Sequence, residues 1–362
     1  MSKETRNFED NNNEIKTPTK KRRRKRKKKP SIPLILGCSL LLIALMGVTI
    51  VGTIFFKSMG DLNIVELDKS NLGIADDEEL SKYEEYDKIK NILLLGTDQP
   101  TESGEPIRSD TMMLLTIDPI NKKLKITSFM RDARVEIDGY GEDKLTHAYA
   151  YGGAQLTLKT FNENFGLNIE EFASVDFTTL PKVIDILGGV EINVTPEEFN
   201  DVNNVIFEDN RTYDKSTPYL QEPGLQTLNG NQALSYARNR TSEGGDYART
   251  QRQRAVMEAL FKKGLSTPVT SYPSLLSKVL PYVTTNMTSG DILNLGKNII
   301  GIGTKNLEQA RFPLDEYSWG EIDPVDELWY LYFDRPSTKQ QIQDYIFDDV
   351  DPLGYEDEET SN

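Results

Sequence analysis

The chain has 362 residues and carries 42 Lys and Arg against 57 Asp and Glu, a formal net charge of −15. That length holds one large domain or two small ones with extensions. A single cysteine (Cys38) and a single histidine (His147) exclude intramolecular disulfides and zinc-type ligand clusters.

The charge is unevenly placed. Residues 1–30 hold 13 basic and four acidic side chains, with ten bases in the unbroken run Lys20 to Lys29, about +9; everything after carries about −24. Between the two lies Pro30 to Phe56, with no charged residue over 27 positions. A helix of roughly 20 apolar residues spans a bilayer, and a basic flank stays in the cytoplasm. The expected order is a cytoplasmic basic tail (1–30), a transmembrane helix (31–56) and an acidic extracellular stalk (57–88). The apolar run exceeds the roughly 7–15 residues of a signal-peptide core, so the span reads as an uncleaved anchor. Cys38 falls inside it as a buried thiol. Beside a membrane span, the basic run reads as topogenic or lipid-facing rather than as a nucleic-acid tail.

Regular structure is expected from residue 89 to 320, with 321–362 a C-terminal extension ending in an acidic tail. Asn91–Gly96 is a short apolar run closed by glycine, the pattern of a strand buried on both faces. Thr111–Ile117 and Leu124–Phe129 read as two more strands, joined by a turn at Pro119 to Asn121. Helical periodicity covers Leu145–Phe165 and Phe177–Leu187, and Val190–Val194 alternates as a strand. The Asn-, Asp- and Pro-rich stretch 195–224 reads as a long surface loop. Helices follow at Asn229–Arg238, Tyr247–Lys263, Leu275–Val283 and Asp291–Ile300, with an edge strand at Gln309–Phe312. The expected fold is a layered α/β/α domain with a mixed central sheet, preceded by the one N-terminal transmembrane helix.

Candidate chemistry sits where strands end. Asp98 follows the first strand, and Arg108 and Asp110 precede the second. If those strands are neighbours, the two carboxylates share an edge and suit a hard cation such as Mg²⁺. The third strand ends in Met130-Arg131-Asp132, which brings an arginine to the same edge. A second cluster runs through Arg238, Arg240, Asp246, Arg249, Arg252, Gln253 and Arg254. Asp246 is placed to cap the following helix, and Arg249 and Gln253 share a face near its start, where anions bind well. Five arginines and no lysine lie within 238–254; that pattern reads either as a solvated basic face or as a site of bidentate phosphate contacts. Arg252 and Arg254 read as surface charges, because one helical turn cannot aim every side chain at one ligand. His147, in an apolar-aromatic run, reads as a structural histidine rather than a catalytic base.

These segments resemble the LytR-CpsA-Psr family of cell-wall glycopolymer ligases. The matching stretches are Asn91 to Asp98, Arg108 to Pro119, Ser128 to Asp132, Lys144 to Gly153, Leu228 to Arg240 and Asp246 to Gln253, with core motifs over 89–263. The resemblance implies a polyprenyl-pyrophosphate-linked glycan donor, its lipid tail in an apolar groove between sheet and helices and its pyrophosphate held by arginines and Mg²⁺ (or Mn²⁺). By that carry-over Asp98 and Asp110 hold the metal. Arg108, Arg131, Lys144, Arg238, Arg240, Arg249 and Gln253 hold the phosphates, and Arg108, Arg131 and Asp246 serve the chemistry, Asp246 as a candidate base. The implied reaction transfers a teichoic acid, capsule or wall polysaccharide to peptidoglycan through a phosphodiester and releases polyprenyl phosphate. It places the catalytic domain outside the cell on a single-pass membrane anchor, with no nucleic acid as partner. The alternatives are a phosphatase or pyrophosphatase acting on the same lipid-linked intermediate, and, in another class, an envelope regulator or a non-catalytic glycan-binding protein.

Overall fold

The computed structural model describes residues 63–98, 106–239, 245–304 and 306–352; within these, the side chains of Asp246, Val269 and Pro273 are not described. The expected membrane span at 31–56 and the basic tail before it lie outside the described residues. Among the described residues no helix is long and apolar enough to cross a membrane.

In chain order the elements begin with β1 (Asn63–Ile64) and the short α1 (Asp77–Leu80), then β2 (Lys90–Thr97), β3 (Ser109–Asp118) and β4 (Lys123–Phe129). A hairpin of β5 (Arg134–Ile137) and β6 (Gly141–Lys144) leads into α2 (His147–Phe165). Next come β7 (Glu171–Asp176), α3 (Leu180–Ile186), β8 (Val190–Val194), α4 (Pro196–Tyr213), β9 (Gly224–Leu228) and α5 (Gly230–Arg238). The chain continues through α6 (Gly245–Ser266), α7 (Tyr272–Val279), β10 (Thr284–Thr285), α8 (Ser289–Ile302) and β11 (Glu308–Phe312). It closes with β12 (Ser318–Ile322), β13 (Trp329–Phe333) and α9 (Arg335–Phe347).

Seven strands form a mixed sheet in the order β1-β10-β7-β2-β3-β4-β11. β2 runs antiparallel to β3, and β3 to β4, while β7 is parallel to β2 and β11 to β4. Alternation along the strands divides the core between the two faces. Leu93, Leu95, Met112, Leu114, Phe129 and Phe172 pack with Phe161 and Phe165 of α2 and Ile342 and Ile346 of α9. Ile92, Met113, Leu124 and Ile126 meet Ile302 of α8, with Met257 and Phe261 of α6 against them. Both faces are therefore covered, which is why β2 is apolar at every position from Ile92 to Leu95.

Three expectations are corrected. The stretch 195–224 is not a long loop: Pro196–Tyr213 is a helix, started by a capping box between Thr195 and Glu198 and by Pro196 in its first turn. Only Val202 and Ile206 are buried along it, so its apolar stripe is too thin to show through the polar residues. The helix expected at Leu275–Val283 spans Tyr272–Val279 and tightens into a 3-10 turn at Leu280–Tyr282. Helix α2 starts at His147 and is broken at Gly152-Gly153, where Gly153 takes a positive φ of 59° that glycine alone adopts readily. Strand β7 had no counterpart in the sequence reading.

Both flanks of the domain join the first cluster. Leu72, Leu80 and Tyr83, in the segment read as a stalk, are buried in it. From the segment read as an extension come Leu331, Phe333 and the buried face of α9. Lys125, fully buried in β4, ties that helix down: its Nζ donates to Tyr345 O at 2.6 Å and pairs with Asp349 at 2.8 Å. A buried ammonium is tolerated only when so partnered.

Candidate functional site

The site is built at the sheet edge where β2, β7, β4 and β11 end and β3 begins. β2 and β3 are neighbours, with Gly96 opposite Thr111 and a bulge before Thr97, which faces Ser109. The Asp98 N–H donates to Arg108 O at 3.0 Å, so pairing continues past the strands and carries Asp98 and Asp110 to the same edge. β4 delivers Arg131 there. Its Nη1 donates to Asp110 Oδ1 at 2.7 Å, and its Nε lies 3.3 Å from Asp132 Oδ2. Lys144, at the end of β6, places Nζ 3.0 Å from Asp132 Oδ1. Asp132 thus holds both cations in register with Asp110.

The second half of the site comes from α5 and α6. Helix α5 is positioned from its start. Asn229 Oδ1 accepts from the Gln232 N–H, Gln232 Oε1 accepts from the Asn229 N–H, and Asp185 of α3 accepts from the Gly230 N–H at 2.7 Å. A Cβ on Gly230 would lie 2.0 Å from Pro181 O, so only glycine lets α5 approach α3 this closely. The helix then ends at Arg238, whose Nη1 lies 3.4 Å from Asp209 Oδ1 of α4. Helix α6 presents Arg249, 4% exposed, and Gln253 one turn on.

Asp98, Asp110, Phe177, Arg238, Arg249 and Gln253 line one polar pocket. An apolar groove of about 690 Å³, its open mouth included, lies beside it and shares Phe177, Arg238 and Gln253. Its walls come from the sheet (Leu94, Met113, Val175) and from α3 and α6 (Leu180, Val256, Met257). The polar pocket is therefore the head of an apolar slot between sheet and helices.

Burial, and then the neighbouring Asp110 carboxylate, push the Asp98 carboxyl above its ordinary value, against the pull of Arg108, Arg238 and Arg131. Arg108 itself is exposed beside this pocket. Two carboxylates lining one pocket offer the oxygen ligands that a hard divalent cation takes. Among the described residues no group of three His, Cys, Asp or Glu side chains is gathered to hold a metal, so substrate oxygens and water would complete its shell.

Arg240 and the Asp246 side chain lie outside the described residues. Arg252 is not a surface charge. It is 4% exposed, and its Nε and Nη1 donate to Glu198 Oε1 (2.8 Å) and Asn239 O (2.9 Å). It ties α6 to the start of α4 and the end of α5. Arg254 is also drawn inward: burial, then nearby Arg311, bring its guanidinium down to about 10, and its Nε donates to Gln309 at 3.3 Å. His147 stands outside the polar pocket, its Nδ1 2.8 Å from Asp143 Oδ2, an oxygen that also accepts from the Tyr151 hydroxyl at 2.6 Å. Sequence reasoning missed Phe177, because β7 before it was not read, and Asp209 and Glu198, because α4 was taken for a loop.

The model of the LytR-CpsA-Psr family matches residues 60–345. The regulatory protein MsrR of Staphylococcus aureus is 33% identical over 262 residues, 72% of this chain and 75% of the relative. The polyisoprenyl-teichoic acid–peptidoglycan teichoic acid transferase TagU of Bacillus cereus is 32% identical over 245 residues, 67% of this chain and 73% of the relative. Among solved structures, the family protein YwtF (TagT) with bound octaprenyl pyrophosphate lipid superposes with a TM-score of 0.53 at 27% identity, covering 72% of this chain and 90% of that one. The mixed-sheet α/β fold is thus shared with a solved structure of that family, and the chain belongs to the LytR-CpsA-Psr family.

Proposed function

We propose that this protein transfers a polyprenyl-pyrophosphate-linked glycopolymer to peptidoglycan, forming a phosphodiester and releasing polyprenyl phosphate. The observation that carries the reading is the shared wall: Phe177, Arg238 and Gln253 belong both to the charged pocket and to the apolar groove. An amphiphile with a long apolar tail and a multiply charged head fits that junction, and the names of TagU and of the lipid-bound TagT structure point the same way.

In this reading the tail lies along Leu94, Val175 and Met257, and the pyrophosphate meets Arg108, Arg131, Arg238 and Arg249, with Gln253 and Lys144 nearby. Asp98 and Asp110 would hold Mg²⁺ or Mn²⁺, which when bound would neutralise phosphate charge. A peptidoglycan hydroxyl attacks the sugar-proximal phosphorus, the P–O–P bond breaks, and polyprenyl phosphate leaves with the bonding pair. The hydroxyl proton goes to a base, for which Asp246 is the candidate. Such transfer needs positioning and charge neutralisation above all, so arginines without a histidine base suffice. Cleavage of the pyrophosphate supplies the driving force.

The domain works outside the cell, held by the span at 31–56 near the membrane from which its substrate emerges. In cells, Asp98→Ala combined with Arg131→Ala should abolish the surface polymer that depends on this protein. Unchanged polymer would favour a binding or regulatory role, as the name of the S. aureus relative suggests. Protease shaving of intact cells should cut beyond residue 57; protection there would overturn the topology.

A further inference from the structure

Both tryptophans of the chain, Trp319 and Trp329, sit on the β12–β13 hairpin. Trp319 is 52% exposed and faces Tyr332 across the ladder, their rings near parallel at 6.0 Å between centroids. Tyr332 is held from behind: the Arg134 guanidinium lies 5.2 Å from the ring centre, and the hydroxyl donates to Asp323 at 2.8 Å. On the other side of this surface, Tyr140 and Tyr151 stack at 4.2 Å with an interplanar angle of 4°, 56% and 40% exposed. Asp143 lies between the two groups, accepting from Tyr151 at 2.6 Å and standing 3.4 Å from the hydroxyl of buried Tyr330 of β13, which donates to Asp326 at 2.6 Å.

This surface is continuous with the candidate site. The Leu331 N–H donates to Asp132 O at 2.9 Å, directly beside Arg131. The Lys144 ammonium, 3.0 Å from Asp132 Oδ1, also lies 5.6 Å from the Tyr330 ring centre. The hairpin thus borders Arg131 and Lys144. Carboxylates run along the aromatic surface at Glu142, Asp143, Asp323 and Asp326, Glu142 paired with Arg134 and Arg335 and Asp323 with Arg134.

We infer that this aromatic surface is the acceptor subsite, which takes a neutral, hydroxyl-rich glycan strand and leads it to the phosphoryl-transfer pocket. The inference rests on the transfer reading above and names where its second substrate lies. Exposed rigid rings offer broad amphipathic contact at small entropic loss, and ionised carboxylates accept strong hydrogen bonds from sugar hydroxyls. With Glu142 paired to Arg134 and Arg335 and Asp323 to Arg134, the aromatic surface presents no dominant charge, which suits the uncharged glycan backbone of the acceptor better than a phosphate-rich polymer.

Because Trp319 and Trp329 are the only tryptophans, tryptophan emission of the full chain reports on this hairpin alone. The full chain in lipid nanodiscs should show a saturable emission change on titration with soluble peptidoglycan oligosaccharide. Trp319→Ala and, separately, Tyr140→Ala should raise KM for the oligosaccharide roughly tenfold, as loss of an aromatic anchor does, while KM for the lipid-linked donor stays put. An unchanged acceptor KM in both variants would overturn the inference. So would the absence of any emission response to oligosaccharide, or quenching by brominated phosphatidylcholine in the nanodisc, which would make the hairpin a membrane contact. Saturable oligosaccharide binding without any transfer by the wild-type chain would sink the transferase reading and leave the glycan surface standing.

Discussion

Arg131 Nη1 donates to Asp110 Oδ1 at 2.7 Å while its Nε lies 3.3 Å from Asp132 Oδ2. One guanidinium thus joins a residue that lines the polar pocket to one that also grips Lys144. Lysine offers a point charge in place of a fork and cannot span both carboxylates. Arg131→Lys is expected to lower the transfer rate by about 10²-fold or more, the scale of losing a positioned charge-stabilising donor, with little change in thermal stability. Single-turnover rates with radiolabelled donor measure this, and a rate within a few-fold of wild type would show that the fork is dispensable.

Asp98 yields a pH prediction with a definite sign. Its carboxyl is pushed up from an ordinary 3.8, first by burial and then by Asp110. A group raised in the fold contributes stability that is present below the unfolded pKa and is lost as pH rises through the folded value. Asp98→Asn should therefore melt above wild type at pH 7 in chelator-treated buffer, with the gap closing as pH falls towards 4. Added Mg²⁺ should raise the wild-type melting temperature and leave the variant unmoved. Equal Mg²⁺ responses in the two proteins would remove Asp98 from the cation site.

Arg252 separates structure from chemistry. Truncation would strand Glu198, whose side chain is 15% exposed, without its 2.8 Å partner. Arg252→Ala is expected to destabilise the fold by about 3–5 kcal/mol, the usual loss when one member of a buried ion pair is removed. Arg238→Ala, whose partner contact is 3.4 Å and whose side chain is 41% exposed, should stay within about 1 kcal/mol yet impair transfer. Denaturant melts on both variants decide it; matching midpoints would contradict the assignment of Arg252 as the tie.

The groove offers a steric test. Val175 lines it from β7 without being fully buried, so Val175→Trp should fill the slot with the core intact. Mass spectrometry of lipid extracted with the purified full chain should then show loss of polyprenyl species, and transfer should fall about 100-fold as the binding energy of the tail is forfeited. Retained lipid would place the tail elsewhere.

How far the sequence foretold this molecule follows from where its signals are local. Ile92 to Leu95 announce a strand covered on both faces because every side chain there is apolar. The arginine site was legible as residue types at strand ends and, through family resemblance, as positions. Helix α4 was not legible, since Val202 and Ile206 alone carry its buried face; its signals were Thr195, Pro196 and Glu198, a capping box read as loop. That miss propagated. With Glu198 assigned to a loop, nothing suggested that Arg252 turns inward to meet it. The burial of Tyr345 and Ile346 against β4 and α2 depends on contacts more than 150 residues apart, which no local pattern encodes.

The most direct test of the central claim is a defined reconstitution. The full chain in nanodiscs, with Mg²⁺, would be incubated with a polyprenyl-pyrophosphate-linked glycan and a soluble peptidoglycan oligosaccharide, and the products resolved by mass spectrometry. The account predicts one polyprenyl phosphate for each glycan–peptidoglycan phosphodiester formed, with both products lost in Arg131→Ala. Free phosphorylated glycan in place of the conjugate, or an untouched donor, would contradict it.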